Sequence, residues 1–472
     1  MTNNYDYTDF SLKEVEVPMF KGAASPVLLT DATMAERQNI VLNRMRKERL
    51  DVLIVYADLE HGSNFEYLTG FLPRFEESIL VLHKTGDACL LLGNENNKMV
   101  KYSRIPAKGI HVPYFSLPNQ PMDNDREIAE YFMEAGLRQG LKTGVAGWKL
   151  FTSSVADNEK LFDLPGYLVD AIRSLVGAEC MVNSSHIFIS AKDGARIINN
   201  ANEIAHYEYG ASLASDCVLQ AMNHVRPGIT ELELGNYLSA AGQRNSVVTI
   251  AAAGERFEYA NFYPLDKCVK IGDKMSLTVG YKGGLTSRSG YAVESERQLA
   301  EPVRDYIPRL AAPYFAAVTA WLENITIGMA GGALCQLIQE VLPQEIFCWK
   351  LNPGHLCSDE EWMSSPIYPG SKELLKSGMI LQTDIIPGID GYAGVSCESG
   401  IVLADESLRQ QIQREYPELF EVFMKRRNYI RNELNIHLSK DVLPMTDTVA
   451  YYRPFFLNPK AALVKKNIAG EC

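Results

Sequence analysis

Apolar and polar positions first take on a regular rhythm at residue 33. In "TMAERQNIVLNRMRKERL" (33–50) apolar residues return at helical intervals, and Thr33 with Glu36 has capping-box spacing, so a helix is expected to begin there. Short β-rich apolar runs bounded by turn residues follow: "DVLIVY" (51–56), "SILVLH" (78–83) and "ACLLLG" (88–93). A helical pattern over 125–140 then precedes the strand-like "TGVAGW" (143–148), so the first part of the chain alternates helix and strand in an α/β manner.

Near residue 195 the rhythm changes. Ile204, Tyr207, Ala211, Ala214, Val218 and Ala221 form the stripe of one long amphipathic helix, which Pro227 and Gly228 break and after which Thr230 can cap the next. A similar glycine, small-residue and apolar-helix sequence returns in "ITIGMAGGALCQLI" (325–338), a faint internal repeat. "MSLTVGYKGGLTSRSGYAV" (275–293) reads as two strands around a glycine-rich turn. With "MILQTDII" (379–386) and "SGIVLAD" (399–405) it predicts a largely antiparallel sheet with helices on one face. The expected division is a leader (1–32), an α/β domain (33–192), an α+β domain (195–435) and an aperiodic tail (436–472) that wraps over a surface or a partner.

Composition narrows the function. A formal charge of -12 with no basic stripe argues against nucleic acid as a partner. No window approaches the roughly 18 apolar residues a membrane span needs, and the start has neither a basic n-region nor an apolar h-region, so a cytoplasmic protein is expected. Nine scattered cysteines without a C-x-x-C pair form neither a disulfide framework nor a zinc knuckle. "KGGLTSRSG" lacks P-loop spacing and a following helix, and so reads as a tight strand connection.

The order of "NEIAHYEYGASLASD", "RPGITELEL", "NFYPLDKCVKIGD", a strand pair, "NPGH", "SGMILQTD" and "CESGIVLAD" resembles the creatinase, Xaa-Pro aminopeptidase and methionine aminopeptidase group, the peptidase M24 or pita-bread family. "RLDVLIVYADLEHGSNFEYLTGF" is similar to the creatinase-type domain that precedes the catalytic one. The resemblance implies an α/β creatinase-like N-terminal domain, an α+β pita-bread domain with a curved antiparallel sheet, and a homodimer.

It also implies a ligand set. The family's metal-binding histidine, penultimate glutamate and last glutamate fall on His355, Asp384 and Glu398. Its two metal-bridging aspartates fall on Thr278 and Ser289, five and sixteen residues beyond Asp273. Two further active-site histidines fall on Asn261 and Trp362.

Two metals roughly 3.5 to 4 Å apart need bridging carboxylates to offset their repulsion, and neutral hydroxyls supply no such charge. A dinuclear mechanism is therefore rejected. The expectation is a hydrolase of a small C–N-bonded substrate, a small molecule or short peptide, in which His355 with Asp384 and Glu398 acts without a cofactor. One divalent ion (Mn, Zn, Fe or Co) on those three residues is the alternative, and a non-catalytic binding protein is another. Asn261, Thr278, Arg288, Ser289 and Trp362 are expected to line the pocket. Arg288 invites an anionic group by its planar fork, and internal pairing is its other reading.

Overall fold

Aliphatic runs buried on both faces build a six-stranded sheet in one unit, residues 29–197. Its order is Lys108–His111, Ala88–Leu92, Ser78–His83, Val52–Ala57, Thr143–Ala146 and Met181–Asn183, with both parallel and antiparallel neighbours. The computed structural model describes residues 5–20, 25–122, 125–259 and 263–466, so Asn261 lies outside the described residues. In this unit the first long helix, Asp31–Glu48, starts ahead of the expected Thr33. Thr30 is the cap: its extended backbone lets its hydroxyl accept from the Thr33 N–H, while Thr33 already sits inside the first turn. The helical pattern over 125–140 is realised only at Ile128–Glu134, because Gly136 takes a positive φ of 101° immediately afterwards.

The other unit joins residues 1–28 to 198–472. Its long helix, Ala201–His224, opens on a capping box made by Asn200 and Glu203. A second helix, Glu231–Tyr237, opens on the box of Thr230 and Glu233. One hundred residues further on the plan returns: helix Ala312–Asn324, a turn at Gly328, helix Gly331–Val341. Gly228 and Gly328 have φ of 87° and 88°, and the caps Thr230 and Ala330 each make an isolated antiparallel bridge, to Cys268 and Leu374. The two halves thus share a helix–turn–helix geometry.

Two antiparallel four-stranded sheets complete this unit. One runs Ser396–Glu398, Gly284–Tyr291, Lys274–Tyr281, Ile250–Ala253; the other runs His355–Leu356, Ile380–Gln382, Gly400–Leu403, Val442–Pro444. Strands Ser396–Glu398 and Gly400–Leu403 are separated by Ser399 alone, so the chain changes sheets there. Leader and tail meet in an antiparallel pair, Phe10–Glu14 with Ala461–Lys465. Among the described residues no helix is long and apolar enough to cross a membrane.

The long helix lies on the 274–291 hairpin through glycines. A Cβ at Gly210 would sit 2.0 Å from the Lys282 carbonyl oxygen, and one at Gly283 would sit 2.0 Å from that of Tyr207. Helix propensity favours alanine at position 210 by about 1 kcal/mol. The clash is with backbone and cannot be relieved by a rotamer, so it decides the sign. Gly210→Ala is expected to destabilise the protein by about 1–3 kcal/mol or more, read from the urea midpoint at constant slope.

Candidate functional site

Strand pairing decides which side chains share a face. Opposed residues of antiparallel strands project to the same side, and their sequence neighbours project to the other. Ser287 opposes both Thr278 and Glu398, and Ser289 opposes both Ser276 and Ser396. One face therefore carries Ser276, Thr278, Ser287, Ser289, Ser396 and Glu398. The hydroxyls pair among themselves: Thr278 Oγ1 lies 2.7 Å from Ser287 Oγ, Ser289 donates to Ser276 Oγ at 3.3 Å, and Ser396 donates to the Ser287 carbonyl at 3.0 Å. At the two positions expected to lack metal-bridging carboxylates stands a floor of mutually bonded neutral hydroxyls.

The second sheet brings the imidazole. Gly354, ahead of it, holds a φ of 122°, and a Cβ there would approach the Gln382 carbonyl to 3.0 Å. His355 is fully buried in the strand opposite Gln382, and its Nδ1 lies 3.2 Å from the Leu356 carbonyl. Its Nε2 faces three carboxylates: Glu361 Oε1 at 2.9 Å, Asp384 Oδ2 at 3.8 Å and Glu398 Oε1 at 4.0 Å. Trp362 stacks on the ring, with centroids 4.2 Å apart and planes 26° from parallel, and is itself 38% exposed.

Gln382 ties the two sheets together. Its amide donates to the Leu285 carbonyl at 2.9 Å and to Glu398 Oε1 at 3.1 Å, and its oxygen accepts from the Leu285 N–H. One carboxylate oxygen of Glu398 is thereby fixed in direction.

Burial and the charge of Glu398 push the Asp384 carboxyl well above the usual range, against the pull of His355. Glu398 is also raised, by burial and by Glu361, against the hydrogen bonds and charge of its neighbours. For His355, burial opposes the charged ring, yet Glu361, Glu398 and Asp384 outweigh it and raise its pKa well above the ordinary value. The cluster is therefore short of positive charge.

A single cation fits these residues. Ligand atoms of His355, Asp384 and Glu398 lie within 4.8 Å of one another, and Asp384 Oδ1 is buried without a hydrogen-bond partner. One imidazole with two carboxylates is an accepted donor set for a divalent ion. Thr278 and Ser289 bring no charge, and their hydroxyls are already paired.

The expectation for Arg288 is corrected. Strand alternation turns it away from Ser289, and all five of its N–H groups are spent: Nε on the Tyr451 carbonyl, Nη1 on the carbonyls of Ser287 and Glu398, Nη2 on Ser399 Oγ and the Thr448 carbonyl. No donor remains for an anion. Two residues next to the cluster, Glu361 and Gln382, were not anticipated from the sequence. The acidic run "SDEEW" just after "NPGHLC" was the available signal for Glu361; Gln382 gave none.

No protein-family model matches the chain. A curated relative, the uncharacterized peptidase YqhT of Bacillus subtilis (strain 168), is 26% identical over 227 residues, 45% of this chain and 62% of that protein. The match thus spans less than two thirds of the relative's length. Solved structures of like fold include an Xaa-Pro dipeptidase from Bacillus anthracis (16% identity, 79% of this chain and 96% of that one, TM-score 0.58). A prolidase from Pyrococcus furiosus (16%, 77% and 96%, 0.57) and an X-Pro aminopeptidase from Thermotoga maritima MSB8 (14%, 78% and 95%, 0.57) superpose similarly.

Arg288→Met is expected to lower stability by about 3 kcal/mol or more, since it strands several buried acceptors at once. Chemical denaturation measures it; an anion-binding arginine would leave stability almost unchanged. Taken with the motif order in the sequence, these matches show that the chain has the pita-bread fold of those Xaa-Pro peptidases.

Proposed function

We propose that the protein is a prolidase-like hydrolase of a small C–N-bonded substrate, a short peptide or amide, working around one polar centre of His355, Asp384 and Glu398. The observation that carries this reading is the convergence of His355, Asp384 and Glu398, whose ligand atoms lie within 4.8 Å of one another, with Asp384 Oδ1 buried and unpartnered among them. Buried polar atoms are normally satisfied, and one left open in such a cluster favours a bound partner there. The relatives named for Xaa-Pro cleavage favour a peptide or imide bond as that substrate.

When bound, a divalent ion on these three residues supplies Lewis-acid polarisation of a carbonyl. The chain's own groups supply the rest. Gln382 holds Glu398 in one orientation, and Trp362 covers one face of the imidazole and keeps water from it. The paired hydroxyls of Thr278, Ser287, Ser289 and Ser276 offer donors and acceptors without charge, which suits a neutral polar part of a substrate. They favour a mononuclear centre over a dinuclear one.

A second reading, binding without turnover, is favoured by Trp362 standing where relatives are expected to carry a proton-handling histidine.

Metal content by elemental mass spectrometry, after incubation with Mn, Zn, Fe or Co, is expected to give one ion per chain in the wild type and none in His355→Ala. The same preparations, assayed on Xaa-Pro dipeptides, should lose turnover by about 100-fold or more in Asp384→Asn, the usual scale for removing an electrostatic catalytic group. Two ions per chain would overturn the mononuclear assignment. Turnover that survives both substitutions would overturn the site. One ion without turnover of any dipeptide or amide would leave the binding reading.

A further inference from the structure

We infer that Phe257 is a specificity-determining residue, whose ring closes the hydroxyl end of the candidate site and selects an apolar group beside the bond being broken. This assignment rests on the reading above that His355, Asp384 and Glu398 are the reacting end, and it names what the opposite end accepts.

Gly394 locates the ring. A Cβ at Gly394 would stand 3.7 Å from the Ser289 Cβ and only 2.9 Å from Phe257 Cζ. Ring tip and serine therefore border one small space, on the face of the sheet that carries the paired hydroxyls. The glycine is not in the left-handed region, so its backbone would admit other residues; it is the approach of the ring that leaves no room for a side chain.

Both sides of this contact are fixed. The Tyr306 hydroxyl donates to the Gly394 carbonyl at 2.8 Å, and the Ala393 N–H donates to the Tyr291 hydroxyl at 2.8 Å. The turn that carries Phe257, Gly254–Tyr259, hangs on the fully buried Glu231. That carboxylate accepts from the Ala253 N–H at 2.9 Å, just ahead of the turn, and from Arg256 Nε at 2.8 Å, within it. Phe257 itself is only partly buried, which leaves ring surface for a ligand. An aromatic wall held in place beforehand gives up little freedom when a ligand packs on it.

The length of the floor sets what the ring can reach. Ser289 opposes Ser396, two residues before Glu398, and two residues of antiparallel strand span about 7 Å. One or two residues of an extended peptide cover that distance, so a chain with its scissile bond at His355 brings a flanking side chain to Phe257. The two basic side chains bonded beside the ring are spent, Arg256 on Glu231 and the Tyr263 carbonyl, Lys267 on the Ala253 carbonyl. A charged group brought against the ring would lose water without a counter-ion from either, whereas an apolar one gains by burial.

The test is steady-state hydrolysis of Leu-Pro, Ala-Pro, Asp-Pro, Ala-Leu and Ala-Asp by wild type, F257A, F257L, G394A and F257A/G394A, with circular dichroism to check that each variant is folded. At one of the two dipeptide positions the wild type is expected to prefer the apolar residue to aspartate. F257A should lose about tenfold or more of that preference, through KM more than kcat, and F257L should recover part of it. G394A should raise KM in the wild type but not in F257A, where the added methyl meets no ring. A preference that F257A leaves unchanged, or penalties that simply add in the double variant, would overturn the role of Phe257 and leave the hydrolase reading standing. If the wild type hydrolyses none of these dipeptides, that reading falls, and calorimetric binding of the same dipeptides decides the inference. Binding of Leu-Pro or Ala-Leu that weakens in F257A keeps the subsite; equal binding, or none, overturns it.

Discussion

The site is governed by an imbalance of charge in a buried place. Glu361, Asp384 and Glu398 gather around one imidazole nitrogen, and removing each ion from water costs several kcal/mol after relaxation. One imidazolium can offset one carboxylate, and burial with the neighbouring acids raises the pKa of Asp384 and of Glu398. A cation relieves the same imbalance without protonating anything. The hydroxyl floor beside the cluster adds no charge of either sign, so the demand for positive charge is confined to the His355 end.

Two buried arginines keep this arrangement in place from behind. Arg288 binds the carbonyl of Glu398 and, through Thr448 and Tyr451, two carbonyls of the C-terminal segment. Arg426, fully buried, pairs with Glu208 of the long helix at 2.8 Å and with Asp447 at 2.7 Å. Asp447 in turn accepts from the Phe20 N–H. The aperiodic segment after residue 436 is therefore bound into the unit by buried charge and backbone bonds, and its carbonyls help fix the strand that carries Glu398. Arginine suits this work because its five donors are always present and fixed in direction.

What the sequence disclosed and what it hid follow one physical line. That His355, Asp384 and Glu398 come together was legible because each sits in a short motif whose spacing fixes its place on a strand or at a strand end. The hairpin at 275–293 was legible from its glycines, and Thr230 from its cap. Arg288 was misread because adjacency in a strand means opposite faces, and only the register shows which face is the pocket. Glu361 was hidden because its approach to His355 depends on how residues 357–364 turn, and no periodicity encodes that turn. The pairing of Phe10–Glu14 with Ala461–Lys465 was hidden for the same reason, being a contact between the two ends of the chain.

Hydroxyls at Thr278 and Ser289 keep that face of the sheet neutral. A carboxylate at position 289 would stand diagonally from Glu398 on the adjacent strand, where like charges repel, and one at position 278 would share its face two strands away. Hydroxyls remove that repulsion, and by bonding to Ser287 and Ser276 they satisfy each other with no ion present. That end of the candidate site therefore needs no ion to satisfy its hydroxyls, whereas the His355 end gathers three acids around one imidazole. Under the proposed function a cation would be held at the His355 end, and the uncharged hydroxyls would meet a neutral part of the substrate.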